Sequence, residues 1–304
     1  MLGYFVATIL FGALAAPPLF WAAQRLAGHG ILPGLAQFDF EAFFHRAIML
    51  GALLFIWPLL RWLGIRNARD LGLEPNPRWL RIRNARDLGL QPNPHWFRDT
   101  AMGFLISTGP LLCCALVLLG VGVYAVRASI AWDALGSVAL SAAVVPFIEE
   151  ALFRGLFLGV LLRGNRAQTA TLLSAGIFSI VHFLKGPDQA TAVVDWSSGF
   201  ISLAHSFDQF AEPMLLLAGF TTLFLLGWIL AEARLRTRSL WLPIGLHAGW
   251  ILASGALNKI AQREMLALPW LGKSLYVGIV PLGVGLLSWA VMKGWLKHVD
   301  VRER

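Results

Sequence analysis

SVALSAAVVPFIEEALFRGLFLGVLL, Ser137–Leu162, is a largely apolar run of 26 residues broken at its centre by Glu149, Glu150 and, one turn later, Arg154. At 1.5 Å per residue such a helix is long enough to cross the hydrocarbon core of a bilayer. An ionised carboxylate at that depth costs roughly 3 kcal/mol on insertion scales, so each of these groups needs a partner. Glu150 and Arg154 stand four residues apart and meet across one helical turn. Glu149 points about 100° away around the same helix, cannot share that face, and needs a different partner or a proton.

The rest of the chain reads the same way. Of its 304 residues 57% are hydrophobic and 14% charged, against about 25% charged in soluble domains, and the mean hydropathy is +0.66. That composition excludes a disordered chain and a secreted disulfide scaffold. The two cysteines, Cys113 and Cys114, are neighbours in an apolar stretch; adjacent side chains point apart on a helix, which favours packing over a disulfide or a metal site. Hydropathy gives spans at about 2–22, 43–63, 101–125, 134–162, 168–185, 213–232, 239–257 and 273–295. The expected fold is all-α, a polytopic membrane helix bundle of about eight transmembrane helices, with residues 1–304 forming a single membrane domain. The first span has an Ala13-Leu14-Ala15 run like a signal-peptidase site, but no basic segment precedes its apolar core, so a retained helix is expected.

Between the second and third spans lies a cytoplasmic loop, 64–100, with a tandem repeat. Ile65 to Leu80 recurs as Ile82 to Phe97 with 13 identities in 16 at a period of 17, which reads as a local duplication rather than a solenoid. Each copy ends in Pro-Asn-Pro and a tryptophan, a turn followed by an interfacial aromatic. Placing the segments after spans two, four and six on one side with the carboxyl-terminal tail collects 17 Lys and Arg there, against seven on the other. That asymmetry predicts both termini in the cytoplasm, with the bacterial inner membrane as the expected location. It also accounts for the net charge of +8: juxtamembrane arginines face anionic lipid, and no nucleic-acid partner is needed.

Two histidines fall inside other spans, His182 in Phe178-Ser-Ile-Val-His182 and His247 in Gly245-Leu-His-Ala-Gly-Trp250. A lone histidine in an apolar helix is commonly a satisfied packing residue. Two of them, with a carboxylate on a third helix that needs a partner off its own helix face, have reason to converge on one another or on water. Carboxylate and imidazole around water supply what peptide hydrolysis requires: a base, and donors for an oxyanion.

The series Glu149-Glu150-x-x-x-Arg154, Phe178-x-x-x-His182 and His247 resembles the motifs of the CPBP family of intramembrane proteases, which includes the type II CAAX prenyl endopeptidases and relatives linked to bacteriocin self-immunity. The resemblance covers about 135–258. It implies a catalytic core there, in which Glu149 and His182 activate water and His247 helps to bind the oxyanion. Glu150 and Arg154 would form a supporting pair, with Phe178 packed beside His182. The partners implied are membrane lipid and a membrane-associated peptide or protein. The family's third motif has Asn or Asp four residues after the histidine, where this chain has Ile251; Ser254 and Asn258 lie further along nearly the same face. No cofactor is expected, although Glu149, His182 and His247 would also make a three-ligand zinc site. Two other readings stay open: a non-catalytic membrane scaffold or immunity protein, which Ile251 favours, and a transporter using the same groups as a proton relay, for which no internal symmetry is visible.

Overall fold

The computed structural model describes residues 2–62, 93–130, 132–183, 193–272 and 275–302. Apolar runs without early breakers become helices: α1 (Leu2–Gly28), α2 (Phe40–Trp62), α3 (Trp96–Gly120), α4 (Trp132–Glu150), α5 (Leu158–Gly164), α6 (Ala167–Phe183), α7 (Ser198–His205), α8 (Pro213–Thr237), α9 (Trp241–Ile260) and α10 (Ile279–Arg302). Among the described residues, Gly3–Gly28, Trp96–Gly120, Pro213–Thr237 and Ile279–Val299 are each long and apolar enough to cross a membrane. An all-α membrane protein fits. Most of the tandem repeat lies outside the described residues.

Three features depart from the expectation. The third span begins at Trp96, five residues early, because Asn93 organises an amphipathic first turn: its side-chain amide donates to Asp99 (2.8 Å) and its carbonyl oxygen accepts from the His95 N–H (2.8 Å). It ends at Gly120 instead of 125. Gly122 then takes φ of +74°, a left-handed conformation natural to glycine, and the chain runs into a short strand, β1 (Tyr124–Val126). β1 pairs antiparallel with β2 (Ala261–Arg263), Tyr124 opposite Arg263 and Val126 opposite Ala261. The third departure is α7, between the expected spans 168–185 and 213–232, which buries Ser198, Gly199 and Ser202 and leaves Phe200 and Ile201 exposed. Asp195 precedes it, its carboxyl held below the usual range by hydrogen bonds from the Ser197 and Ser198 side chains and backbone.

The chain packs as two units. In the first, α1, α2 and α7 come together around Ala13, Ala16, Phe40, Phe44 and Ala47. Here Glu41, buried on α2, accepts from Ser202 Oγ on α7 at 2.5 Å, and the Gly199 backbone lies against Ala13. The second unit holds α3, α4, α5, most of α6, α8, α9 and α10.

Its closest pair is α3 and α9, which run parallel. A Cβ on Gly103 would press on Leu246 N (2.8 Å), and one on Gly249 on Phe104 O and Thr108 Oγ1 (2.6 Å each); on Gly245 it would collide with the Thr100 carbonyl. In lipid, where apolar surface gains little by leaving the solvent, such close backbone approach supplies the packing. The two helices begin with tryptophans, Trp96 and Trp241, whose rings lie 5.4 Å apart. α4 crosses α9 in the opposite sense, with Val138 filling the space left by Gly255 and Glu150 reaching His247.

Candidate active site

Directly after Glu150 the helix widens: Ala151–Phe157 is π-helical before α5 resumes the ordinary turn. Single π turns inside helices recur at functional sites because they redirect side chains without ending the helix. Here the turn holds Arg154, which together with Glu150 is completely buried. Arg154 Nη1 donates to Glu150 Oε1 at 2.9 Å and Nη2 to the carbonyl of Gly227 on α8 at 3.1 Å. The guanidinium also lies 4.3 Å from the centroid of the Phe178 ring. A Cβ at 227 would stand 3.1 Å from that ring and 3.2 Å from Ala175 Cα. The glycine therefore lets α8 approach α6 and bring its carbonyl to the arginine.

Glu150 has a second partner, from α9. His247 Nδ1 lies 2.8 Å from the same Oε1. A carboxylate ionised against arginine can only accept, so Nδ1 carries the proton of that bond. The other nitrogen, Nε2, then faces Glu149 Oε2 at 3.8 Å, within ion-pair range but too far for a direct hydrogen bond. The ring is held edge-on to Phe178, centroids 5.9 Å apart. Its aim follows from the motif itself: Gly245 and Gly249 turn one face of α9 onto α3, and His247, two residues from each, is directed to the opposite side.

The two glutamates differ in access. The Glu150 side chain has no exposure, whereas that of Glu149 retains 17%. Thus five of the six residues picked out from the sequence, Glu149, Glu150, Arg154, Phe178 and His247, gather within the second unit. His182 follows Phe178 by one turn, where α6 passes into the first unit. Among the described residues no three His, Cys, Asp or Glu side chains form a ready set of metal ligands.

Sequence reasoning missed two contributors. Gly227 carries a weak signal, a small residue inside an apolar helix. Tyr276 carries none that separates it from an interfacial aromatic, yet its hydroxyl donates to the Trp250 carbonyl of α9 at 3.1 Å. Ser254 is fully buried, while the carbonyl of Asn258 accepts from Arg127 Nε at 3.3 Å, at the far end of the helix.

Neither the curated proteins nor the solved structures include a match to the chain. Residues 131–253, which hold all six of the candidate positions, match the family model described as Type II CAAX prenyl endopeptidase Rce1-like, the same family that the motif series resembles.

Proposed function

We propose that the protein is an intramembrane endopeptidase that hydrolyses a peptide bond in a membrane-associated protein or peptide, with Glu149 as the base. One observation carries this reading: Glu149 is the carboxylate of the cluster whose side chain is not fully enclosed, and it lies 3.8 Å from an imidazole whose other nitrogen is anchored by a buried ion pair. Water between Glu149 and a substrate carbonyl gives one proton to the carboxylate as its oxygen bonds to the carbonyl carbon. The carbonyl electron pair moves onto oxygen, and His247, when protonated, donates its Nε2–H to that oxyanion. Collapse re-forms the carbonyl and breaks the C–N bond, and the proton held by Glu149 leaves with the amine. His182 orients the water, as the family resemblance implies. Glu150 and Arg154 fix the imidazole and the helix turn and exchange no proton.

The test works with the substrate still unidentified. Membrane-protein termini are compared by quantitative mass spectrometry in cells carrying the wild type, Glu149→Ala or His182→Ala, at matched amounts of inserted protein. The expected result is a set of new termini present with the wild type alone, with uncleaved precursors accumulating in both variants. Identical sets of termini in all three strains would overturn the proteolytic reading.

A further inference from the structure

Tyr276 stands on the connection between β2 and α10, and backbone hydrogen bonds brace that connection on both sides. Gly272 N–H donates to Val277 O (2.7 Å), Ile279 N–H to Pro269 O (2.9 Å) and Val280 N–H to Trp270 O (3.1 Å). Arg263 Nη1, from β2, donates to Leu271 O at 2.5 Å. A braced loop delivers its side chain to a fixed place. The phenol reaches the Trp250 carbonyl, three residues after His247 on α9, beside Ser254 and within the electrostatic influence of Glu149.

Position 251, where a donor would sit one turn after His247, is isoleucine. Asn258 does not stand in: it sits three turns beyond His247, near the end of α9, where its backbone carbonyl accepts from Arg127 and it lines a separate cavity of about 220 Å3 with Tyr124, Arg127, Gln262 and Arg263. The Trp250 carbonyl, inside a regular helix, accepts the Ser254 N–H in any case. The phenol is therefore a second donor to an oxygen already satisfied, and exchanging that bond for one to a developing oxyanion, a stronger acceptor, leaves no orphaned group.

We propose that Tyr276 is the hydrogen-bond donor that replaces the missing side chain at position 251, turning its hydroxyl from the Trp250 carbonyl to the oxyanion during hydrolysis. This rests on the proteolytic function above. It makes the isoleucine compatible with full activity, since the donor comes from a loop instead of from the next turn of α9.

The experiment measures, by pulse-chase, how fast the most abundant Glu149-dependent precursor is cleaved in four strains: wild type, Tyr276→Phe, Ile251→Asn, and the double variant. The thermal midpoint of each purified protein is measured in detergent. Loss of one oxyanion donor lowers turnover about a hundredfold, so Tyr276→Phe should be slower by at least tenfold. Ile251→Asn should change the wild-type rate less than threefold but restore the Tyr276→Phe rate by at least tenfold without restoring any loss in midpoint. Wild-type speed in Tyr276→Phe overturns the proposal, and so does a slow variant that Ile251→Asn fails to rescue, which would make the tyrosine a brace for the loop. Absence of any Glu149-dependent cleavage overturns the proteolytic function itself, an outcome distinct from both.

Discussion

Arg154 shows what a buried charge requires in this protein. Its guanidinium has Glu150 at 2.9 Å, the Gly227 carbonyl at 3.1 Å and the face of Phe178 at 4.3 Å, with no exposure to water. Removing one member of a buried pair costs about 3–5 kcal/mol, chiefly because the other charge is left uncompensated. Arg154→Leu should therefore lower the thermal midpoint sharply, and adding Glu150→Gln should recover much of the loss. A double variant no more stable than Arg154→Leu would show that the pair is not the stabilising unit. The zinc alternative is tested at the same scale: with a metal-free site, prolonged dialysis against a chelator leaves the rate of precursor cleavage unchanged, whereas loss of activity restored by zinc would make Glu149, His182 and His247 ligands. The spacing of Glu150 and Arg154 made their contact legible in the sequence, since i,i+4 is local geometry. The bond from His247 to Glu150 was not, because it joins residues 97 apart and no pattern along the chain encodes which of two adjacent carboxylates an imidazole will meet. Tyr276 was hidden for the same reason.

At the level of elements, glycines decide where helices touch. A Cβ on Gly249 would stand 2.6 Å from both Phe104 O and Thr108 Oγ1, while one on Gly109 of α3 would meet nothing within 4 Å. Gly249→Ala should thus separate α3 from α9 and cost about 1–3 kcal/mol through overpacking. Gly109→Ala should be neutral or stabilising by up to about 1 kcal/mol, as expected for an open helix position. The measurement is thermal unfolding in one detergent, and equal destabilisation by both changes would sink the assignment of Gly249 to a contact face. Because Gly245 and Gly249 also set the direction of His247, Gly249→Ala should slow precursor cleavage more than its stability loss explains. Hydropathy found the helices, since length and apolar composition are one-dimensional properties. It missed the π turn at Ala151–Phe157, which has the same composition as an α-helix, and the three-residue strands, which are too short for period-two alternation to register. It also missed α7, whose buried face is serine and glycine and whose exposed face is apolar, the reverse of the pattern that marks a helix on a soluble protein.

For the whole molecule, two independent observations bear on how the chain threads the membrane. The first is charge: 17 Lys and Arg fall on one side of the eight-span arrangement and seven on the other, although Arg25, directly after the first span, goes against the trend. The second is direction within the second unit, where α3 and α9 run parallel and α4 runs against them. Alternate crossing demands this, because α3 and α9 would both leave the cytoplasm and the path from α4 through α5 would return to it. If that path does cross, its two ends open on opposite sides. Reporters inserted after Ser129, before α4, and after Asn165, between α5 and α6, separate the possibilities. Alkaline phosphatase, active only outside the cytoplasm, should work at the first position and fail at the second, and a fluorescent protein fused after Arg304 should be bright. Equal phosphatase activity at the two insertions would mean that α4 and α5 dip into the membrane and return. Glu149 would then sit in a re-entrant element open to one face, and the route by which a membrane-bound substrate reaches it would have to be drawn from that face alone.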